Sequence, residues 1–323
     1  MNELVSAMDK NLAYLRDLVP YNQRVIEQAF LALCDDVGSG DITTLALSSD
    51  KERVEEAAIV AREQGILCGI LEAKSILEAG GLTTQWYKNE GDAFKAGETL
   101  AVVRGKVAEL LSRERIALNY LQTLSGIATL CGFFSKSFPG KVASLRKTHP
   151  GIAFSEKRAV LVGGALTHRL CLDDGFLIKD NHLALVAREL FGKARINEHQ
   201  KLRAIEESLR RAKNYRAEHS LKRAFIEVEV ESMAQGLIAA SMFRVEGVPD
   251  MVLLDNMKPD MVEECVQAIR KVAGQNLLIE ASGGITPDNL QLYLDTGVDV
   301  ASMSFLTLDA RPLDIGMKIV GYK

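Results

Sequence analysis

The sequence predicts an α/β protein with a parallel α/β barrel in its C-terminal part. From residue 140 onwards, apolar strand-like segments alternate with helical segments, which is the pattern of βαβ units around a parallel sheet. About seven such strands over roughly 170 residues favour a barrel over an open sheet. No GxGxxG motif follows the first strand, which argues against a dinucleotide-binding fold. The predicted strands are VASLR, AVLVGG, GFLIKD, AFIEVEV, MVLLDN, NLLIEASGG and VDVASMS.

The N-terminal part of the sequence predicts helices around a small sheet. Apolar residues recur every three or four positions in residues 1–34, which indicates a helical region. Residues 54–104 predict a sheet layer with one helix, over Leu71 to Ala79, that is closed by Gly80-Gly81. Residues 106–134 predict a long helix, in which Arg115 lies near the apolar seam.

These elements divide the chain into two predicted domains. The first, residues 1–134, holds the N-terminal helices and the small sheet, and the second, residues 135–323, holds the barrel. Whether a C-terminal helix returns to the first domain stays open. Residues 191–223 interrupt the barrel rhythm with ten Lys/Arg against four Glu. Aromatic residues are nearly absent there, so a solvated basic helical insertion is favoured over a nucleic-acid or partner surface.

Composition limits the classes of partner and the compartment. The 323 residues are 47% hydrophobic and 25% charged, with a net charge of −4, which is ordinary for a globular enzyme and gives no general attraction to nucleic acid or membranes. Five cysteines without CxxC or Cys/His spacing predict reduced thiols in a cytoplasmic protein. The sequence has no signal-peptide core and no run near ~20 apolar residues, so we expect neither secretion nor a membrane span.

Cations are concentrated in the stretch from Leu145 to His182. They do not repeat at a helical spacing, and they stand beside turn residues such as Pro150-Gly151 or at the edges of apolar runs. This pattern favours side chains that converge on a ligand with several negative charges, although a basic surface loop is the alternative. The cations are Arg146, Lys147, His149, Lys157, Arg158, His168, Arg169, Lys179 and His182.

Acidic and glycine-rich residues follow the later predicted strands. In FIEVEVE, Glu227, Glu229 and Glu231 alternate with apolar residues, and MVLLDN ends with Asp255. Buried carboxylates are costly unless they meet cations, metals or sugar hydroxyls. Functional residues of a barrel project from the C-terminal strand ends, so these acids predict a shared site, with Mg²⁺ bridging carboxylates and phosphates.

The segment EASGGITPDN predicts a phosphate cradle. A strand is followed by Ser282, Gly283 and Gly284 and then by a helix predicted to begin at Thr286. Glycines let backbone amides approach an anion, and a helix N-terminus adds positive potential. The sequence has no Ser/His/Asp or Cys/His nucleophile pattern. A sugar phosphate that bears further charge is therefore the predicted ligand.

Eight motifs stand in order along the chain: DDVGSGDITT, ERIALNYLQTLSGIAT, RKTHPG, EKRAVLVGGALTHR, LIKDNH, VEVE, LLDNM and EASGGIT. Together they resemble those of the quinolinate phosphoribosyltransferase (carboxylating nicotinate-nucleotide pyrophosphorylase) family. The resemblance runs from about residue 27 to about residue 318. It implies a type II phosphoribosyltransferase with an N-terminal α/β sandwich domain and an incomplete seven-stranded α/β barrel. Such an enzyme converts quinolinate and phosphoribosyl pyrophosphate to nicotinate mononucleotide, pyrophosphate and CO₂ in NAD biosynthesis.

The resemblance also implies residue roles and a homodimer or an assembly of dimers. Lys147, Lys179, Glu229 and Asp255 would be the catalytic residues, with the two lysines towards pyrophosphate. Glu229 and Asp255 would hold the ribose hydroxyls and Mg²⁺. The quinolinate carboxylates would be bound by Arg146, Lys147, His168 and Arg169, with Arg115 from the neighbouring subunit. Lys179, Glu229 and Asp255 would also bind substrate, at the pyrophosphate and the ribose. The 5′-phosphate would be bound by Ser282, Gly283 and Gly284.

The sequence departs from the family pattern at three positions. Ser304 stands where glycine is common, Leu308 where a polar residue is common, and Ala153 where arginine is usual. The first two bear on phosphate affinity. Two alternatives stay open. The first is a molybdenum-transport-associated relative of the same fold, over which the complete LIKDNH, VEVE and LLDN set favours the phosphoribosyltransferase. The second is a catalytically silent paralogue that binds a phosphorylated metabolite, and the altered phosphate-end residues are the only feature in its favour.

Overall fold

The computed structural model describes residues 19–50, 52–192 and 197–320. The beginning of the predicted first helix, before residue 19, and residues 193–196 of the predicted insertion lie outside these ranges. The described residues form two compact units. The barrel unit comprises Gly140–Arg146 and Leu166–Phe305, and the sandwich unit comprises residues 19–139, Lys147–Ala165 and residues 306–320.

The elements follow the chain in an irregular alternation of helices and strands. In chain order they are α1 (Val19–Val37), α2 (Ile42–Leu47), β1 (Val54–Ala61), β2 (Gly65–Ile66), α3 (Ile70–Ala79), β3 (Thr83–Trp86), β4 (Ala93–Phe94), β5 (Thr99–Lys106), α4 (Val107–Ser137), β6 (Val142–Ser144), α5 (Ala153–Val162), β7 (Phe176–Ile178), α6 (Asp180–Phe191), α7 (Glu198–Glu218), β8 (Ile226–Val230), α8 (Met233–Glu246), β9 (Met251–Asp255), α9 (Pro259–Ala273), β10 (Leu278–Ser282), α10 (Leu290–Asp295), β11 (Val300–Met303), α11 (Phe305–Leu308) and β12 (Ile315–Ile319).

The sandwich unit is built on an antiparallel sheet of order β12-β1-β5-β3. Strand β1 buries Ala57, Ile59 and Ala61, which are alternate residues and therefore share one face of the sheet. The small sheet predicted within residues 54–104 is thus confirmed. The C-terminal segment that enters this unit is a strand, β12, which pairs with β1, and not the helix considered from the sequence.

Helix α4 is the central helix of the sandwich unit and confirms the long helix predicted over residues 106–134. It packs against α3, α5 and the sheet. By length and composition α4 could cross a membrane, but 61% of its most apolar 18-residue stretch is buried inside the fold. Core helices of globular proteins have the same composition, so we read α4 as a core helix.

The barrel unit contains a curled parallel sheet of order β6-β11-β10-β9-β8-β7. Six of the seven predicted strands form it, and a seventh position is reduced to one parallel bridge between Ala143 and Leu166. The prediction of a strand at AVLVGG was wrong, because those residues end helix α5. A short apolar run fits a buried helix as well as a strand. Here Gly163 lies so close to α4 that a β-carbon would stand 2.4 Å from the Ala128 carbonyl oxygen.

The helix predicted within residues 191–223 is present as α7. It is not solvated all round, because Ala204, Ile205 and Leu209 are fully buried and α7 packs on α6, α8 and β8. Most of its charged residues lie on the outer face, where Arg210 pairs with Glu246, whereas Arg216 is partly buried and pairs with Asp250. The segment therefore belongs to the layer of helices that covers the barrel sheet.

Candidate active site

The C-terminal ends of β9 and β10 bring an acid and a serine together. Asp255 lies opposite Ser282 in the parallel register, and the Asn256 amide donates a 2.9 Å hydrogen bond to the Ser282 carbonyl oxygen. The Asn256 side chain donates to Asp255 Oδ2 over 2.8 Å. Because parallel strands end at one edge of the sheet, these residues form one polar surface there.

The loop after β10 requires glycine at its first position. Gly283 has φ +90°, and a β-carbon on it would lie 2.4 Å from Asn256 Oδ1. Gly284 has φ +67° and open space around it. The helix predicted to begin at Thr286 begins instead at Leu290, after a turn in which the Asn289 side chain donates to the Gly284 carbonyl oxygen over 3.0 Å. The loop is therefore held by an asparagine and not by the first turn of a helix.

Lys179 and Glu229 form an ion pair at the strand ends. Lys179 follows β7 and its ammonium group donates to Oε2 of Glu229 on β8. Burial raises the pKa of Glu229; Lys179 lowers it, and the charges of Asp255 and Asp180 raise it. The site thus combines one cation with three carboxylates close enough to affect one another.

A cleft of about 710 Å³ lies beside β7 and carries the predicted cations. Arg146, Arg169, Lys179 and His182 line one part of it, and apolar residues such as Phe176 line another. Burial lowers the pKa of Arg169, the Glu227 carboxylate raises it and the Arg146 charge lowers it again. Arginine stays charged in proteins, so two neighbouring guanidinium groups face an opening that suits a dianion.

His168 points into the barrel, towards two buried glutamates. Its Nε2 lies 2.8 Å from Oε2 of Glu227 and 3.4 Å from Oε2 of Glu280. The His168 backbone has φ +53°, and the Arg169 amide donates to His168 Nδ1 over 2.8 Å. Burial raises the pKa of Glu227, against the opposing effect of His168. Burial lowers the pKa of His168, and the charges of Glu280 and Glu227 raise it more.

The structure assigns most predicted site residues to the barrel unit and two to the sandwich unit. Lys147 is exposed, and its carbonyl oxygen accepts a 2.7 Å hydrogen bond from Thr307. Arg115 is exposed on α4. The residues in the barrel unit are Arg146, His168, Arg169, Lys179, Glu229, Asp255, Ser282, Gly283 and Gly284.

The other cations of the 145–182 stretch have structural partners. Arg158 is buried and pairs with Glu72, and also with Glu90 at 3.0 Å. His149 lies 2.6 Å from Glu156. Nδ1 of His182 accepts a 3.0 Å hydrogen bond from the Lys179 backbone amide, so His182 caps the first turn of α6.

Sequence reasoning assigned no role to Glu280 or to Asn256, and it grouped Glu227 with the other acids of its strand without giving it a role of its own. A signal for the two glutamates was present, because each glutamate lies two residues before a predicted site residue on the same strand, Ser282 or Glu229. Residues at that spacing share a sheet face. For Asn256 no comparable signal exists, since its role depends on the loop between β10 and α10.

Comparison with known proteins covers both units. Residues 41–125 match the family model for the quinolinate phosphoribosyl transferase N-terminal domain, and residues 133–318 match the model for the C-terminal domain. A probable carboxylating nicotinate-nucleotide pyrophosphorylase from Methanothermobacter thermautotrophicus is 37% identical over 294 residues, which covers 89% of this chain and 96% of the relative. The human carboxylating nicotinate-nucleotide pyrophosphorylase is 34% identical over 269 residues, 82% of each chain.

Solved structures show the same similarity. The nicotinate-nucleotide pyrophosphorylase of Francisella tularensis superposes with a TM-score of 0.74 at 26% identity, covering 92% of this chain and 96% of that one. The enzyme from Ehrlichia chaffeensis superposes with a TM-score of 0.72 at 28% identity, covering 91% and 97%.

Proposed function

The chain belongs to the quinolinate phosphoribosyltransferase family, and from this we propose that it converts quinolinate and phosphoribosyl pyrophosphate to nicotinate mononucleotide, pyrophosphate and CO₂. This activity would be a step of NAD biosynthesis. The observation that carries the proposal is the set of strand-end residues: the Lys179–Glu229 ion pair stands with Asp255 and the Ser282–Gly284 loop in a chain that both family models match.

The acids at the strand ends suit displacement at the anomeric carbon of a sugar. That reaction passes through an oxocarbenium-like state, and fixed carboxylates stabilise the developing positive charge. Glu229 is nearly buried, with 10% of its side chain exposed, so its charge acts through little water. Lys179 is half-exposed and can release Glu229 to face the departing pyrophosphate with its ammonium group.

The cleft suits the second substrate, a pyridine dicarboxylate. Arg146 and Arg169 both line it, and guanidinium groups bind carboxylates through two parallel hydrogen bonds. The buried Arg169 Nε makes no hydrogen bond to any described residue, so it keeps a donor for such a ligand. Holding two polyanions in line is an orientation problem that rigid cations solve.

The donor set at Glu229 fits Mg²⁺. Glu229, Asp255 and Asp180 influence one another electrostatically, and magnesium takes one or two carboxylates together with substrate oxygens. We propose that Glu229 and Asp255 hold Mg²⁺ and the ribose hydroxyls. The ion would supply charge neutralisation of the departing pyrophosphate.

The proposal extends to a homodimer, or an assembly of dimers, in the cytoplasm. In it Arg115 reaches the substrate bound by a neighbouring subunit, and Lys147 takes part in binding quinolinate and pyrophosphate. The support for both roles is the match of their motifs to the family pattern.

A coupled assay tests the proposed function. Purified protein with Mg²⁺, phosphoribosyl pyrophosphate and quinolinate should release CO₂ and form nicotinate mononucleotide in equal amounts. Absence of both products would leave the silent phosphometabolite-binding paralogue as the better account, for which Ser304 and Leu308 are the supporting departures. Lys179→Met is the matched loss-of-function variant, and Lys201→Met, which removes a surface lysine paired with Glu231, is its control.

A further inference from the structure

Glu227 and Glu280 form a cluster with His168 in the barrel interior, and neither glutamate has a role in the proposed reaction. All three side chains are buried, with 0% of each glutamate exposed. Nε2 of His168 lies at contact distance from both carboxylates, although neither it nor any of the four carboxylate oxygens makes a hydrogen bond of good geometry to a described residue. Buried polar groups without such bonds lower the stability of a fold, so the cluster needs an explanation other than folding.

A bound metal is the first explanation to consider. One atom from each of the three residues can be chosen so that all lie within 4.8 Å of one another. The 2.8 and 3.4 Å separations from Nε2 are near the ligand–ligand edges of about 3.0–3.4 Å expected around a divalent ion bound at ~2.1 Å. Distances alone therefore do not exclude a metal.

The tautomer of His168 decides against a metal. The Arg169 amide donates its hydrogen to Nδ1, so Nδ1 uses its lone pair there and the ring hydrogen must be on Nε2. A metal would need the lone pair of Nε2, and a metal-bound histidine donates from its other nitrogen. The ring therefore presents Nε2–H to the two carboxylates.

The cluster lies one layer below the proposed site. Glu227 precedes Glu229 by two residues on β8, and Glu280 precedes Ser282 by two on β10, so each pair shares the face of its strand. Upward, the cluster connects to the cleft through one peptide group, because the amide that fixes His168 belongs to Arg169. Glu227 also acts on the charge of Arg169, against the repulsion from Arg146.

We propose that Glu227 and Glu280 are positioning residues that orient the His168–Arg169 pair for binding of the pyridine dicarboxylate. They hold the His168 ring from below, and the ring holds the Arg169 backbone at the edge of the cleft. The proposal rests on the proposed function and adds to it residues that do not touch substrate.

The experiment compares Glu227→Gln and Glu280→Gln with wild type and with Glu246→Gln. The control makes the same change at a glutamate of the outer helix α8 that pairs with Arg210. Each variant removes one charge from a buried polar contact of His168, so KM for quinolinate should rise about 10- to 100-fold in the two buried variants. KM for phosphoribosyl pyrophosphate should change by less than about twofold, and the control should match wild type. Equal changes in both KM values, or none, would overturn the proposal.

Nitrogen-15 spectra of histidine-labelled wild-type protein give a second test that does not need the variants to fold. The His168 signals, identified by their loss in His168→Asn, should show a protonated Nε2 facing the two carboxylates. An unprotonated Nε2, or a stoichiometric metal that chelation removes together with a shift of these signals, would overturn it. If wild type forms no nicotinate mononucleotide, the proposed function fails separately. Calorimetric binding of quinolinate to wild type and both variants then replaces KM, and equal affinities would refute the positioning role.

Discussion

Replacing Gly283 by alanine should damage the proposed phosphate loop more than the same change at Gly284. At Gly283 the added β-carbon would lie 2.4 Å from Asn256 Oδ1 and 2.8 Å from the Asn256 backbone nitrogen. Side-chain rotation relieves only the first contact. The backbone of Asn256 cannot retreat freely, because its amide donates to the Ser282 carbonyl oxygen over 2.9 Å.

The magnitude follows from two terms. A left-handed backbone costs an L-residue about 1–2 kcal/mol, and this applies at both glycines, with φ +90° at Gly283 and φ +67° at Gly284. Overpacking adds about 1–3 kcal/mol at Gly283 alone, since nothing lies within 4 Å of a β-carbon on Gly284. Gly283→Ala should therefore cost about 2–5 kcal/mol of unfolding free energy, and Gly284→Ala about 1–2 kcal/mol.

Two measurements check this. At about 2–4 °C per kcal/mol, the midpoint temperature of thermal unfolding should fall by roughly 5–15 °C for Gly283→Ala. Displacement of Asn256 also moves the partner of Asp255, so KM for phosphoribosyl pyrophosphate should rise at least about tenfold, or ~1.4 kcal/mol, with quinolinate KM less affected. If the two variants behave alike in both measurements, the contact with Asn256 does not shape the loop and the reasoning fails.

Three other predictions concern the dimer, the metal and acid stability. Arg115→Ala and Arg169→Ala should each lose activity by about 30-fold or more, as expected for one partner of a desolvated charge pair, and mixing the two proteins should restore part of it; no recovery would contradict a shared site. A chelator should abolish activity, and Asp255→Asn should raise the Mg²⁺ concentration for half-maximal rate, whereas full activity in the chelator would contradict a magnesium role. Arg311 holds the pKa of Glu63 below its ordinary value of 4.5, so their ion pair contributes stability above that pH and loses it as the pH falls through the lowered pKa. Glu63→Gln should therefore reduce the urea midpoint at pH 7 more than at pH 3, and an equal reduction at both would count against the pair.

The alternation of strands and helices made the barrel predictable from the sequence, but helix α5 could not be predicted in the same way. Its sequence contains Glu156, Lys157 and Arg158 just before an apolar run, and a buried strand was the natural interpretation of that run. The structure buries Arg158 against Glu72, a partner 86 residues earlier in the chain. A long-range ion pair of this kind has no local signature, so tertiary context decided between helix and strand.

The site shows the same division between local and long-range information. Residues at strand ends were predictable because period-two alternation and parallel strands fix where side chains emerge. The different environments of Glu227 and Glu229 were not predictable, because the sequence repeats one residue type at equivalent positions of β8. Their different surroundings separate them: Lys179 approaches only the upper carboxylate and His168 only the lower one. The two acids on this strand face therefore have different roles, Glu229 towards the sugar and Glu227 towards the cations that bind the pyridine. Removing the partner of Glu229 by Lys179→Met should alter the kinetics with phosphoribosyl pyrophosphate, while the nitrogen spectrum of His168 stays unchanged.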